Sequence, residues 1–163
     1  VLDYMGFKTE KEYSYRLTPP DGLPSIWIHD LLGTVANFST EQLAQVKHVF
    51  ADAFLAGWQQ AADSDRFNSL VTYVGLSWRE VLIFRTLARF LDLAQYPLGK
   101  SYMAQTLANY PQITRLLCDL FLQRHRPHQT RAEAERICAD LDVQILAALD
   151  SVEKLDDDKV LRS

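Results

Sequence analysis

From Ser39 to the end of the chain, apolar residues recur every three to four positions, and helix-start chemistry stands where the runs begin. Ser39 is followed three positions later by Gln42, Ser77 by Glu80, and Thr130 by Glu133. At that spacing the hydroxyl accepts from the backbone N–H three residues on, and the longer side chain reaches back to the cap, so three capping boxes are predicted. The first helix carries Leu43, Val46, Phe50, Ala53, Phe54 and Gly57 on one stripe and should end near Ala61. A short helix from about Asp65 to Val74 stops at Gly75. The helix after Ser77 carries Trp78, Val81, Leu82, Ile83, Phe84, Leu87, Ala88, Phe90 and Leu91. Its apolar residues run almost all round, which predicts the central, most buried helix. Ser101–Ala108 reads as a short helix, and Pro111 suits the first turn of another that runs to about Arg124. The last long helix presents Ala134, Ile137, Leu141, Ile145, Ala148 and Val152 on one stripe, and Asp156–Asp158 open a final helix.

The first thirty residues follow a different period. Tyr13, Tyr15 and Leu17 alternate with Ser14 and Arg16, and Ile26-Trp27-Ile28 reads as a second strand. Between them Thr18-Pro19-Pro20-Asp21-Gly22 is turn chemistry. Phe7 is a candidate early start for the first strand, and Gly6 a left-handed stop for a helical turn over Val1–Met5. The expected fold is mainly α: an irregular bundle of about six helices with a small N-terminal antiparallel β element, α+β overall. Strand period gives way to helix period within Leu31–Phe38, and the division is set at 1–32 and 33–163. Two strands alone are marginal in water, so apolar surface is expected on the pair near Tyr13, Tyr15, Ile26 and Ile28.

Composition narrows the function. With 48% hydrophobic and 23% charged residues the chain belongs with globular proteins. A net charge of -4 argues against a phosphate-gripping nucleic-acid binder. No apolar run reaches the roughly 18 residues of a transmembrane helix. Cys118 and Cys138, twenty positions apart, match no zinc or redox spacing and read as reduced, buried thiols of a cytoplasmic protein. Six glycines are scattered, with no GxGxxG or P-loop to cradle phosphate. The histidines are His29, His48, His125 and His128, and none has a metal-ligand set beside it. His29-Asp30 reads as a polar strand end, with a base-orienting pair as the alternative. Arg124, His125, Arg126, His128 and Arg131 form one basic cluster, which fits cations at a helix C-terminus better than an anion site. No catalytic, cofactor-binding or metal-binding residue is assigned. Val1 in place of an initiator methionine, and a final helix of little more than one turn, suggest an internal piece of a longer polypeptide.

Several stretches in order carry a resemblance: Ile26-Trp27-Ile28-His29-Asp30, Arg66-Phe67-Asn68-Ser69-Leu70, Gly75-Leu76-Ser77-Trp78-Arg79-Glu80-Val81, Pro97-Leu98-Gly99-Lys100-Ser101-Tyr102, Thr106-Leu107-Ala108-Asn109-Tyr110-Pro111, Leu116-Leu117-Cys118-Asp119-Leu120-Phe121, and Leu155-Asp156-Asp157-Asp158-Lys159-Val160-Leu161-Arg162. Together they resemble the large bacterial NAD-specific glutamate dehydrogenases. The resemblance implies a whole enzyme that oxidises L-glutamate to 2-oxoglutarate and ammonia with NAD, a homo-oligomer without nucleic-acid or membrane partners. This segment would hold the end of an ACT-like module and the helical region leading toward the catalytic core, with the other domains of its polypeptide as partners. The family's catalytic lysines, aspartate and nucleotide-binding glycines have no matching positions here. Trp78 would anchor the core, and Arg79 would pair with a carboxylate or meet another part of the enzyme. The alternative is a stand-alone helical domain whose basic cluster binds an acidic partner or RNA.

Overall fold

Glycine at position 6 lets the chain turn out of its first helical turn and into a strand. In a computed structural model, which describes residues 1–20, 23–127 and 130–163, Asp3–Met5 forms a 3-10 turn and Gly6 sits at φ 82°. A Cβ there would come within 3.0 Å of the Tyr73 ring. Strand β1 (Phe7–Leu17) then pairs antiparallel with β2 (Ile26–Val35), with an irregularity between Thr9 and Lys11. β2 stays paired through Gly33, Thr34 and Val35, so a division after residue 32 would cut the strand. Asp21 and Gly22, the centre of the expected turn, lie outside the described residues.

The helices are α1 (Thr40–Trp58), α2 (Ser69–Val74, preceded by a 3-10 turn Arg66–Asn68), α3 (Trp78–Leu93), α4 (Lys100–Asn109), α5 (Pro111–Arg124), α6 (Arg131–Leu149) and α7 (Leu155–Arg162). The fold is mainly α with a small β ribbon, as expected, with seven α-helices among the described residues where about six were expected. The capping boxes at Ser39–Gln42 and Ser77–Glu80 form in both directions. At Thr130 only half forms. The hydroxyl accepts from the Glu133 N–H and donates to its carboxylate at 2.8 Å, which keeps that carboxylate from the cap's own N–H. Val152 falls beyond the end of α6.

The expectation for α3 fails. It buries Val81, Phe84 and Ala88, but Leu87, Phe90 and Leu93 are exposed, Phe90 at 66%. The centre belongs to α2, whose Leu70, Val71 and Thr72 are fully enclosed, with α4 supplying Met103, Ala104 and Thr106. Six residues are too few for an apolar stripe to stand out in sequence, whereas α3 is long and conspicuous. α2 closes on Gly75 at φ 74°. Both the Gly75 N–H and the Leu76 N–H reach back to the Leu70 carbonyl, and Leu76 is fully buried just past the helix end. The Thr72 hydroxyl donates to the Met5 carbonyl at 2.6 Å and ties the N-terminal turn to this centre.

Candidate functional site

The ribbon register brings together side chains far apart in sequence. Ser14 stands opposite His29, and Glu12 reaches the same ring. His29 Nδ1 lies 2.7 Å from Glu12 Oε1 and 3.0 Å from the Ser14 hydroxyl, and Ser14 also donates to Glu12 at 3.1 Å. These hydrogen bonds hold the Glu12 carboxyl below the usual carboxylate range, the His29 contact first and Ser14 second. The three residue types are those of a serine-hydrolase triad, but the geometry is not. A relay needs the acid on one imidazole nitrogen and the hydroxyl on the other. Here both use Nδ1, on an exposed surface. Asp30 pairs with Tyr13 on the opposite face of the ribbon, so the suggested His29-Asp30 pair does not form.

The basic cluster is dispersed. Arg124 crosses to Asp142 of α6 at 3.2 Å, and Arg131 pairs with Glu135 within its own helix at 2.7 Å. The His125 ring stacks on Phe121 with centroids 4.3 Å apart. His128 lies outside the described residues. Arg79 lies over the Trp78 ring at 4.2 Å, a cation–π contact. No carboxylate among the described residues is within ion-pair distance of it, which corrects the carboxylate pairing, the first of the two expectations for Arg79. Trp78 is half-buried against the core. Cys118 and Cys138 are free and buried, and burial pushes the Cys118 thiol up to about 12.

Two polar constellations organise the helices. Arg85 holds both oxygens of Asp65, at 2.8 and 3.0 Å, and donates to the Asn68 side-chain carbonyl at 2.6 Å. It locks the turn before α2 onto α3. Asp157 is the one buried carboxylate among the described residues. It accepts from Tyr102 at 2.6 Å, Thr106 at 3.1 Å and Tyr110 at 3.3 Å. Three hydroxyls replace the water that a buried carboxylate would lose. Among the described residues, no group of three or more His, Cys, Asp or Glu side chains is placed to hold a metal ion.

Clefts open beside this core, and two of them among the described residues are large. One, of about 650 Å³, lies between the N-terminal turn and helices α2 and α4, lined by Asp3, Asn37, Arg66, Tyr73 and Asn109. The other is an apolar groove of about 430 Å³ between α3 and α5, floored by Met103 and Leu107 of α4 and bounded by the last turn of α7.

Residues 62–127, from the approach to α2 through the end of α5, match the family model described as glutamate dehydrogenase, helical motif 3. The whole chain aligns with NAD-specific glutamate dehydrogenases: 33% identical over 99% of this chain to the protein of Halomonas elongata, and 32% over 100% to that of Mycobacterium tuberculosis. The protein of Pseudomonas aeruginosa is 32% identical over 99% of it. The chain is similar, end to end, to a segment of these dehydrogenases. It spans about 10% of the length of each of these curated relatives.

The stretch that matches this family model contains the Arg85–Asp65–Asn68 lock, the Trp78–Arg79 stack and both walls of the apolar groove. It also includes the three hydroxyls around Asp157, while Asp157 itself lies outside. Sequence reasoning missed this carboxylate because Asp156-Asp157-Asp158 reads as a charged helix start. The available signal was period: Asp157 shares a helix face with Val160 and Leu161, both buried. Ser14 and Glu12 were missed because only a known register could set them beside His29. No helix of the described residues is long and apolar enough to cross a membrane.

Proposed function

We propose that this chain is a non-catalytic segment of an NAD-specific glutamate dehydrogenase, an oxidoreductase that converts L-glutamate, NAD and water to 2-oxoglutarate, ammonia and NADH. The alignment over 99–100% of the chain at 32–33% identity carries this reading. The packing agrees with a structural or regulatory part. The polar clusters tie helix to helix, and the Ser14–His29–Glu12 group lacks a relay. The ribbon through Val35 is read as the closing part of an ACT-like β element, and the remainder as a helical domain. NAD is held elsewhere in the enzyme, a cytoplasmic homo-oligomer whose other domains are this segment's partners. The pairing of Arg124 and Arg131 with carboxylates counts against the alternative of an RNA- or acid-binding domain.

An antibody raised against this chain tests the reading on source-cell lysate. The expected result is one band far above 18.7 kDa, whose immunoprecipitate reduces NAD when given glutamate. A band at 18.7 kDa, or an immunoprecipitate without that activity, overturns it.

A further inference from the structure

The groove between α3 and α5 lacks a wall where the chain leaves it. Its floor is finished core: Met103 and Leu107 are 2% and 6% exposed. Its upper side is not, for Leu87 and Phe90 of α3 stand open at 46% and 66%. Arg162 and Ser163 lie on its lining, so the last residues of the chain are already at the groove. α7 is still helical there, with the Ser163 N–H donating to the Lys159 carbonyl at 3.1 Å. Val160 and Leu161 face inward on this last turn. Helical period puts the positions three, four and seven after Leu161 on the same face.

We propose that this groove is the docking site for the polypeptide that directly follows Ser163, continuing α7 as an amphipathic helix with its apolar face against Leu87, Phe90 and Phe121. The proposal rests on the reading of the chain as part of a longer dehydrogenase. A segment tethered at Ser163 has a large effective concentration at the groove, an advantage no separate partner has. The groove is mostly apolar, and the two arginines on its lining, Arg124 and Arg162, are already engaged by Asp142 and Asp158. The occupant therefore presents apolar residues every three to four positions.

The test uses the full-length enzyme with a benzophenone amino acid in place of Phe90, whose exposure in this segment means that folding does not depend on the phenyl ring. After irradiation, mass spectrometry of the digested, purified protein should place the crosslink in the same subunit, within about twenty residues after Ser163. A crosslink to a distant segment or to another subunit, or no crosslink, overturns the proposal. Hydrogen exchange of Phe90→Asp gives a second reading. Amides just after Ser163 should exchange at least tenfold faster than in the unsubstituted enzyme, and unchanged exchange overturns the docking. The intact mass and the glutamate-dependent NAD reduction of the unsubstituted protein report separately on the dehydrogenase reading.

Discussion

The hydroxyl of Tyr102 donates to the carboxylate of Asp157 at 2.6 Å and joins α4 to α7 across 55 positions of sequence. The same carboxylate oxygen accepts from Thr106, which is 1% exposed. Asp157→Ala removes the acceptor for three hydroxyls and leaves the Thr106 hydroxyl buried and unpaired. Hydrogen bonds to charged groups contribute about 1.5–3 kcal/mol each, and they are not additive around one shared acceptor. The expected loss is about 3 kcal/mol in urea unfolding, against about 1–2 kcal/mol for Tyr102→Phe. Equal, negligible effects would show that the cluster does not hold α7.

The same contact sets an alkaline limit. The Asp157 hydrogen bond, aided by burial, raises Tyr102 above the ordinary tyrosine value, and burial with the Asp157 charge raises Tyr110. Both bind their protons more tightly folded than unfolded. Their contribution is complete below the unfolded value near 10 and is lost as pH rises through the folded values. Ultraviolet titration should show two late-ionising tyrosines, and Asp157→Asn should bring both down.

Arg85 carries a separate prediction. Its guanidinium grips Asp65 with two nitrogens and satisfies the nearly buried Asn68. Arg85→Ala should cost about 1–3 kcal/mol, because it strands the buried Asn68 side-chain carbonyl, while the partly exposed Asp65 carboxylate can turn to water. A lysine lacks the planar fork, so Arg85→Lys should recover less than half of the loss in thermal or denaturant unfolding.

Cys118 should be chemically silent. Burial, with the Glu80 charge second, pushes its thiol up to about 12, so at neutral pH almost no thiolate exists. Alkylation in native buffer should spare Cys118 and modify it fully in denaturant, as peptide mapping would reveal. Rapid native labelling would refute the burial.

The ribbon predicts behaviour of this segment in isolation. Tyr13, Tyr15, Ile26 and Ile28 are each about half exposed on one face. The isolated chain should self-associate through it. Ile26→Thr together with Ile28→Thr should shift sedimentation toward monomer while leaving the helical circular dichroism unchanged.

Much of this architecture was legible because the chain announces its turns locally. Ser39 and Ser77 with their partners, Gly6, Gly75 and Pro111 each act within a few residues, and each does what its chemistry requires. Two helix ends were less legible. α1 and α3 are followed by Gln60 and Gln95 at φ 59° and 60°, left-handed positions where glycine is the usual marker. The site residues were hidden for a different reason. Asp157 and Arg85 take their roles from partners 47 to 55 and 17 to 22 positions away, and Ser14 takes its place beside His29 from strand register. Such long-range pairings leave no periodic trace. The prominence of α3 misled for the same reason, since its extra apolar residues face an open groove and not the core.

Helix α2 has six residues, far fewer than a helix needs to persist alone in water. Its backbone is kept in place by enclosure among the elements around it. Its amides can then become accessible only when those neighbours separate. The shortest α-helix is thus the best clock for the whole molecule: the slowest proton exchange should come from Val71 and Thr72, at the rate set by global unfolding.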